Sequence, residues 1–357
     1  MPLTDMVGEQ LIRNINTMKT MPNNRQLAKL TVRLVLCTSL AATSLTASAL
    51  NIVLSNDDGL TSNIKALYKT LKTAGHDVIV STPCQNQSGM GAAVKFLKPI
   101  TPLTKACLNN AGSAGDPGVG PVTKTEKGYN YSDFFYVDGT PVMAIAYGLD
   151  ILAPARWNGA PDLVISGPNE GQNVGSIVIS SGTVSNAQFA ASRGLAAIAL
   201  SAGSNTEGEV DKFGNHADNP LSLIVADHAV ALLSELATKA AKKPILPTGL
   251  ALNVNFPDEL TPTSTWSFSR IGTHNDYRTV FTEDLSKDPV AQFYGLKDAH
   301  PGISFVVTNE KPAADQLQDE SVVYKTTIAV SAMQMAYDHR PAGQQWLRQQ
   351  LRDLFAK

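Results

Sequence analysis

Short runs of apolar, mostly β-branched residues recur along the chain and alternate with longer segments in which apolar residues return every three or four positions. The first kind reads LNIVLS (50–55), DVIVSTP (77–83), FFYVDG (134–139), DLVISG (162–167), AAIALS (196–201) and ALNVNFP (251–257). The second reads SNIKALYKTLKTAG (62–75), TPVMAIAYGLDIL (140–152), TVSNAQFAASRG (183–194) and PLSLIVADHAVALLSELATKAAKK (220–243). A strand buried on both faces needs no polar alternation. Uniformly apolar runs separated by helical segments therefore predict an α/β fold: a Rossmann-like, mostly parallel sheet with helices on both faces. In such folds ligands collect beyond the carboxyl ends of the strands.

Two regions depart from this rhythm. Residues 108–132, rich in Gly, Asn and Ser, read as a flexible insertion into an α/β core that spans 50–260. From 261 to 357 the alternation weakens into a C-terminal extension or arm. That region also holds a last core strand near 319–333 and an amphipathic closing helix, PAGQQWLRQQLRDLFAK, expected to pack on its own subunit. No internal repeat is visible.

The first 49 residues differ again. Arg25, Lys29 and Arg33 precede LVLCTSLAATSLTASA, an apolar stretch too short and too rich in Ser and Thr for a comfortable membrane span, and Ala47 and Ala49 stand in A-x-A spacing. The pattern is that of a signal peptide (1–49), which predicts export to the periplasm or the medium with cleavage near Ala49 and a mature chain outside the membrane. Cleavage would leave only Cys84 and Cys107, in an oxidising compartment. A disulfide and two free thiols are both compatible with the sequence.

Composition narrows the function. With 357 residues, 43% of them hydrophobic, 17% charged and a net charge of -2, the chain is globular and lacks the basic balance of a protein that grips a nucleic-acid polymer. Small nucleotides remain suitable ligands.

The chemistry is concentrated in polar loops that follow predicted strands: SNDDG (55–59), CQNQSGMG (84–91), SGPNEGQNVG (166–175) and SSGTVSNA (180–187). Two adjacent carboxylates, Asp57 and Asp58, at the tip of a buried strand repel each other and lose hydration, so they call for a cation. With Ser88 and Asn169 they make an all-oxygen set suited to Mg²⁺, Mn²⁺ or Ca²⁺, and no thiolate or His cluster points to zinc. Ser181, Gly182 and Thr183 precede a helix, where hydroxyls and free N–H groups form an anion site; simple capping is the alternative. The loops lack both a G-x-G-x-x-G fingerprint and a Walker lysine.

Taken together, IVLSNDDG, NQSG, SGPNEGQNVG and SGTVSNA, in this order and supported by VDGTPVMAIAYGL and LNVNFP, resemble the survival protein SurE family of metal-dependent 5′/3′-nucleotidases and acid phosphatases. The resemblance covers roughly residues 50–260. It implies Asp57, Asp58, Ser88 and Asn169 as ligands of one divalent cation per subunit, Mg²⁺ or Mn²⁺. Asp57 and Asp58 would be catalytic, and Asn169, Ser181, Gly182 and Thr183 would contact phosphate. It implies a small phosphomonoester as substrate and a homodimer or homotetramer built through an exchanged arm, with Asp319 as the acidic residue before the last core strand. The sequence departs from the family pattern where LTSNI follows DDG, where Cys84 replaces an acidic residue, and where SAM stands for Thr-Pro-Leu.

The expected reaction is hydrolysis of nucleoside monophosphates by metal-activated water, since no Ser or Cys nucleophile with an adjacent base is evident. The alternative is an exported, non-catalytic nucleotide or phosphate binding protein, although paired carboxylates are a poor neighbour for an anion. A lipase or esterase would call for a G-x-S-x-G elbow, which is missing.

Overall fold

The computed structural model describes residues 49–240, 244–293, 295–297, 299–308, 310–335 and 341–355. The expected signal segment, apart from Ala49, lies outside the described residues.

All six apolar runs form strands of one sheet: β1 (Asn51–Ser55), β2 (Asp77–Pro83), β4 (Phe134–Val137), β5 (Leu163–Glu170), β6 (Ala197–Ala202) and β7 (Leu250–Asn255). Three further strands, β3 (Val119–Pro121), β8 (Trp266–Ser269) and β11 (Ile328–Gln334), complete a nine-stranded sheet of order β3-β4-β2-β1-β5-β6-β7-β11-β8. The pairs from β4 to β7 are parallel, with Leu54 opposite both Val80 and Ile165. β3 and β11 pair antiparallel with β4 and β7.

The central strands are apolar on both sides because both sides are covered. Ile52 and Leu54 pack beneath α1 (Ser62–Thr73) and α5 (Pro220–Ala240). Val53 and Val164 face α2 (Pro141–Tyr147), α3 (Ala153–Trp157) and α4 (Gly182–Ser192). By length and composition α5 could cross a membrane, but Val225, Ala226, Ala229 and Leu233 bury its inner face in the core.

From β1 the chain builds outward through β2 and β4 on one side, then crosses to build β5, β6 and β7 on the other. The reversal falls between β1 and β5, the topological switch point where such sheets open a crevice at their carboxyl ends.

Segment 108–132 does interrupt the alternation, yet it has structure of its own. It carries β3, and Tyr131 packs edge-on against Phe134. Lys65, wholly buried in α1, pairs with its Glu126 at 2.8 Å and with Asp218 at 3.0 Å, and lies over the Tyr129 ring. In the C-terminal region β11 is the expected last core strand. The region read as an irregular arm contains an antiparallel hairpin of β9 (Tyr277–Thr282) and β10 (Gly302–Val307), with α6 (Pro289–Phe293) between them. α7 (Glu320–Val323) precedes β11. The closing helix forms as α8 (Pro341–Gln350), followed by the short α9 (Arg352–Phe355); against the expected packing on its own subunit, α8 buries none of its side chains, and Trp346 and Leu347 are 60% and 48% exposed.

Candidate metal and phosphate site

β1 delivers the chain to the crevice, and the turn after it is closed locally. The Asn56 side chain donates to the Gly59 carbonyl at 2.8 Å and accepts from the Gly59 N–H at 3.1 Å. Asp57 and Asp58, inside this turn, are 3% and 2% exposed. The acidic pair is therefore not a solvated turn, and each member is engaged by a different element.

Asp57 faces the start of α4. The Thr183 hydroxyl donates to its Oδ1 at 2.5 Å, and the backbone N–H groups of Gly182 and Thr183 also serve its carboxylate. This approach needs a glycine. A Cβ on Gly182 would stand 2.6 Å from Asp57 Cβ and 2.6 Å from Pro141 Cγ. Burial pushes the Asp57 carboxyl above its ordinary range, and the donors of α4 oppose the shift.

Asp58 turns the other way. It accepts from the Asn86 amide at 3.1 Å, from the Ser88 hydroxyl at 3.4 Å and from the Glu170 N–H at 3.1 Å. Burial, reinforced by the charges of Asp57 and Glu170, holds its carboxyl well above the usual range.

Asn169 and Glu170 reach the crevice through a register shift in β5 between Ser166 and Asn169. Gly167 makes the shift feasible at φ +106°, because any side chain there would strike the Leu200 carbonyl. Asn169 Oδ1 then lies 3.0 Å from the same Thr183 hydroxyl that serves Asp57. One hydroxyl hydrogen faces two oxygens, so Thr183 can serve only one of them at a time.

The structure thus brings Asp57, Asp58, Ser88, Asn169 and Thr183 into one cluster. Ser181 plays the capping part, its hydroxyl accepting from the Val184 N–H at 3.1 Å. Asp319 stands apart from the cluster: fully buried, it is held by Arg270 at 2.6 Å and by the N–H groups of Thr273 and His274.

Sequence reasoning missed three participants. Asn86 and Glu170 lie inside the motifs already marked, so their positions were available, but nothing local signalled contact with Asp58. Glu170 has a carboxylate oxygen buried without a hydrogen-bond partner, and burial with nearby Glu207 raises its pKa to about 8. The third is Glu320, whose carboxylate accepts from the Gly175 N–H at 3.2 Å and the Asn253 amide at 3.0 Å, tying the 170–180 loop to the far strands. The two open cysteines are joined as a Cys84–Cys107 disulfide.

Could these residues hold a cation? Two buried like charges with two neutral oxygens beside them fit a hard divalent ion. Among the described residues no group of three His, Cys, Asp or Glu side chains is placed to bind a metal, so a cation here would rest on two carboxylates and the neutral oxygens of Ser88 and Asn169.

Fold and site together define an α/β protein with a buried cluster of carboxylate, amide and hydroxyl oxygens at the switch point of its sheet. The chain belongs to the SurE family: the family model "Survival protein SurE" matches residues 52–278. It is 32% identical over 251 residues to an acid phosphatase of Yarrowia lipolytica, covering 68% of this chain and 65% of that protein. It is 37% identical over 154 residues to a 5′-nucleotidase SurE of Solidesulfovibrio magneticus, covering 43% of this chain and 50% of that protein. The chain therefore spans less than two thirds of the length of these two relatives. Its fold is shared with the SurE protein of Aquifex aeolicus, at a TM-score of 0.56 and 22% identity, over 83% of this chain and 99% of that one.

Proposed function

We propose that this protein is a divalent-cation-dependent phosphomonoesterase that hydrolyses nucleoside monophosphates through attack of water on phosphorus. The observation that carries the reading is the pair of adjacent, buried carboxylates, Asp57 and Asp58, with the Ser88 hydroxyl and the Asn169 amide oxygen in the same cluster. Family membership and relatives named acid phosphatase and 5′-nucleotidase support it.

Asp57, Asp58, Asn169 and Ser88 would hold the ion. When bound, Mg²⁺ or Mn²⁺ supplies polarisation of a phosphoryl oxygen and a more acidic water. The protein's own part is positioning and proton handling. The N-terminus of α4 fixes Asp57, while Asn86 and the Glu170 N–H fix Asp58. One of the two carboxylates would take the proton of the attacking water at a carboxylate oxygen. Asn169 and the Ser181–Thr183 turn would orient the phosphate.

The test is phosphate release from nucleoside monophosphates by the purified protein, before and after chelation and after return of Mg²⁺ or Mn²⁺. Loss and recovery of turnover supports the reading. Chelator-insensitive hydrolysis refutes it, and nucleotide binding without phosphate release points to a binding protein.

We further propose that the protein is exported, with cleavage near Ala49, and acts as a homodimer or homotetramer. The basic, apolar and small-residue pattern before Leu50 supports export, and so does the Cys84–Cys107 bond, since disulfides persist in oxidising compartments. N-terminal sequencing of exported protein should begin at or near Leu50. Assembly is supported by apolar side chains left open on the hairpin and closing helix, with Phe281, Ile303 and Trp346 exposed by 71%, 63% and 60%. Light scattering of the purified protein reads the mass.

A further inference from the structure

The Cys84–Cys107 bond belongs to no group that would hold a cation, yet each of its ends is one step from the site. Cys84 follows β2, and the chain runs from it directly into Asn86 and Ser88, which donate to Asp58, and Gln87, whose N–H donates to the Asp57 carbonyl at 2.8 Å. Cys107 opens the turn that backs Asp57 and Asp58 from behind. A Cβ on Gly59 would meet Leu108 at 3.2 Å, and the Asn109 amide donates to the Leu60 carbonyl at 2.8 Å.

The two ends are also stitched together beside the bond. The Leu108 N–H donates to the Cys84 carbonyl at 2.8 Å, and the Gln85 amide donates to the Ala106 carbonyl at 2.7 Å. The disulfide therefore joins the segment that satisfies Asp58 to the segment that supports the turn carrying it. The bond is the one covalent member of this set of ties.

We propose that Cys84–Cys107 is a positioning element of the cation site: intact, it holds the 85–88 loop against the Asp57–Asp58 turn, and its reduction weakens cation binding. The inference rests on the metal reading above. In the reduction the sulfur–sulfur bond takes two electrons and breaks, and each cysteine sulfur takes one proton: a dithiol gives both electrons and both protons and becomes a disulfide, whereas a phosphine gives the electrons, and one water gives the two protons and the oxygen of the phosphine oxide. Cys84 and Cys107 are only 2% and 3% exposed, so the reductant reaches them when the 85–108 region opens rather than through the closed surface.

A purely structural cross-link would behave differently. It would restrict the unfolded chain and raise the melting temperature, with no effect on the affinity of molecules that remain folded. A positioning bond changes that affinity.

The experiment measures Mn²⁺ binding by titration calorimetry on the full mature chain, below the melting temperature of every sample. Oxidised protein is compared with phosphine-reduced protein, freed of reductant under anaerobic conditions, and with the Cys84→Ser/Cys107→Ser double variant. Thiols are counted by mass. The Mn²⁺ dissociation constant is expected to rise about ten-fold without the bond, and amide exchange to quicken in 85–91 but not in β6 and β7. Should the serine variant not fold, Cys84→Ala/Cys107→Val, which fills the buried space with apolar atoms, takes its place. An affinity within about two-fold of the oxidised protein overturns the proposal. So does failure of every bond-free form to fold, which would make the bond a folding requirement instead. Oxidised protein that binds no Mn²⁺ sinks the metal reading itself, an outcome distinct from unchanged binding after reduction.

Discussion

Replacing Glu320 by Gln should flatten the pH dependence of folding stability, and the size of the effect follows from the site of the carboxyl. Glu320 is 0% exposed. Burial raises its pKa from the ordinary 4.5 to about 7, and Ser331, Asn253 and the Gly175 N–H offset part of the desolvation. A folded state that holds a proton more tightly than the unfolded chain gains stability at low pH. That contribution is full below 4.5 and is lost as the pH rises through about 7. At about 1.4 kcal/mol per pH unit, the loss between those limits is about 3 kcal/mol. Gln has the shape of the protonated acid and does not titrate. The assay is urea unfolding of wild type and Glu320→Gln without divalent cations, at several values from about pH 5 to about pH 8.5. The difference between the two proteins isolates Glu320 from Asp58 and Glu170, which are raised as well. Between about pH 5 and about pH 8.5 it should move by about 2.5 kcal/mol in favour of the variant, nearly all of it below pH 7. Parallel stability curves would refute the reasoning.

Three further substitutions address the site. Asp58→Asn should lower phosphatase turnover by several orders of magnitude, while stability without cation at neutral pH holds or rises because one of two repelling buried carboxylates is gone; near-normal turnover in a phosphate-release assay would return the pair to a structural role. Thr183→Val removes the hydroxyl shared by Asp57 and Asn169 but leaves the Ser181 cap, so the Mn²⁺ concentration for half-maximal activity should rise by a factor of about ten, or about 1.4 kcal/mol. An unchanged Mn²⁺ requirement would show that the hydroxyl has no part in the centre. Gly182→Ala places a methyl 2.6 Å from Asp57 Cβ and should push the start of α4 away, cutting activity about a hundred-fold or more in protein whose circular dichroism is unchanged; full activity would mean that α4 does not need to touch Asp57.

What could be read from the chain, and what could not, divides along a physical line. The six central strands were legible because strands covered on both faces carry unbroken apolar runs. β3, β8 and the β9–β10 hairpin were not. Three or four residues give too short a pattern, and at a sheet edge or in an arm apolar residues such as Phe268 and Phe281 stay exposed. Asp57, Asp58, Ser88 and Asn169 were legible as abrupt polar breaks after buried strands. Glu320 was not, because its meaning depends on Gly175, 145 residues away in sequence.

The sequence by itself determined where the six central strands and the helical segments between them lie, and that two carboxylates stand at the tip of the first strand. Those are consequences of local periodicity, which needs no knowledge of neighbours. Tertiary structure alone decided that Asp58 would meet Ser88 and Glu170, 30 and 112 residues away, and that Gly182 would let α4 close on Asp57. It also decided their chemistry. In an unfolded chain Asp57 and Asp58 are ordinary hydrated acids; their raised proton affinity arises only when the sheet and α4 take water away from them.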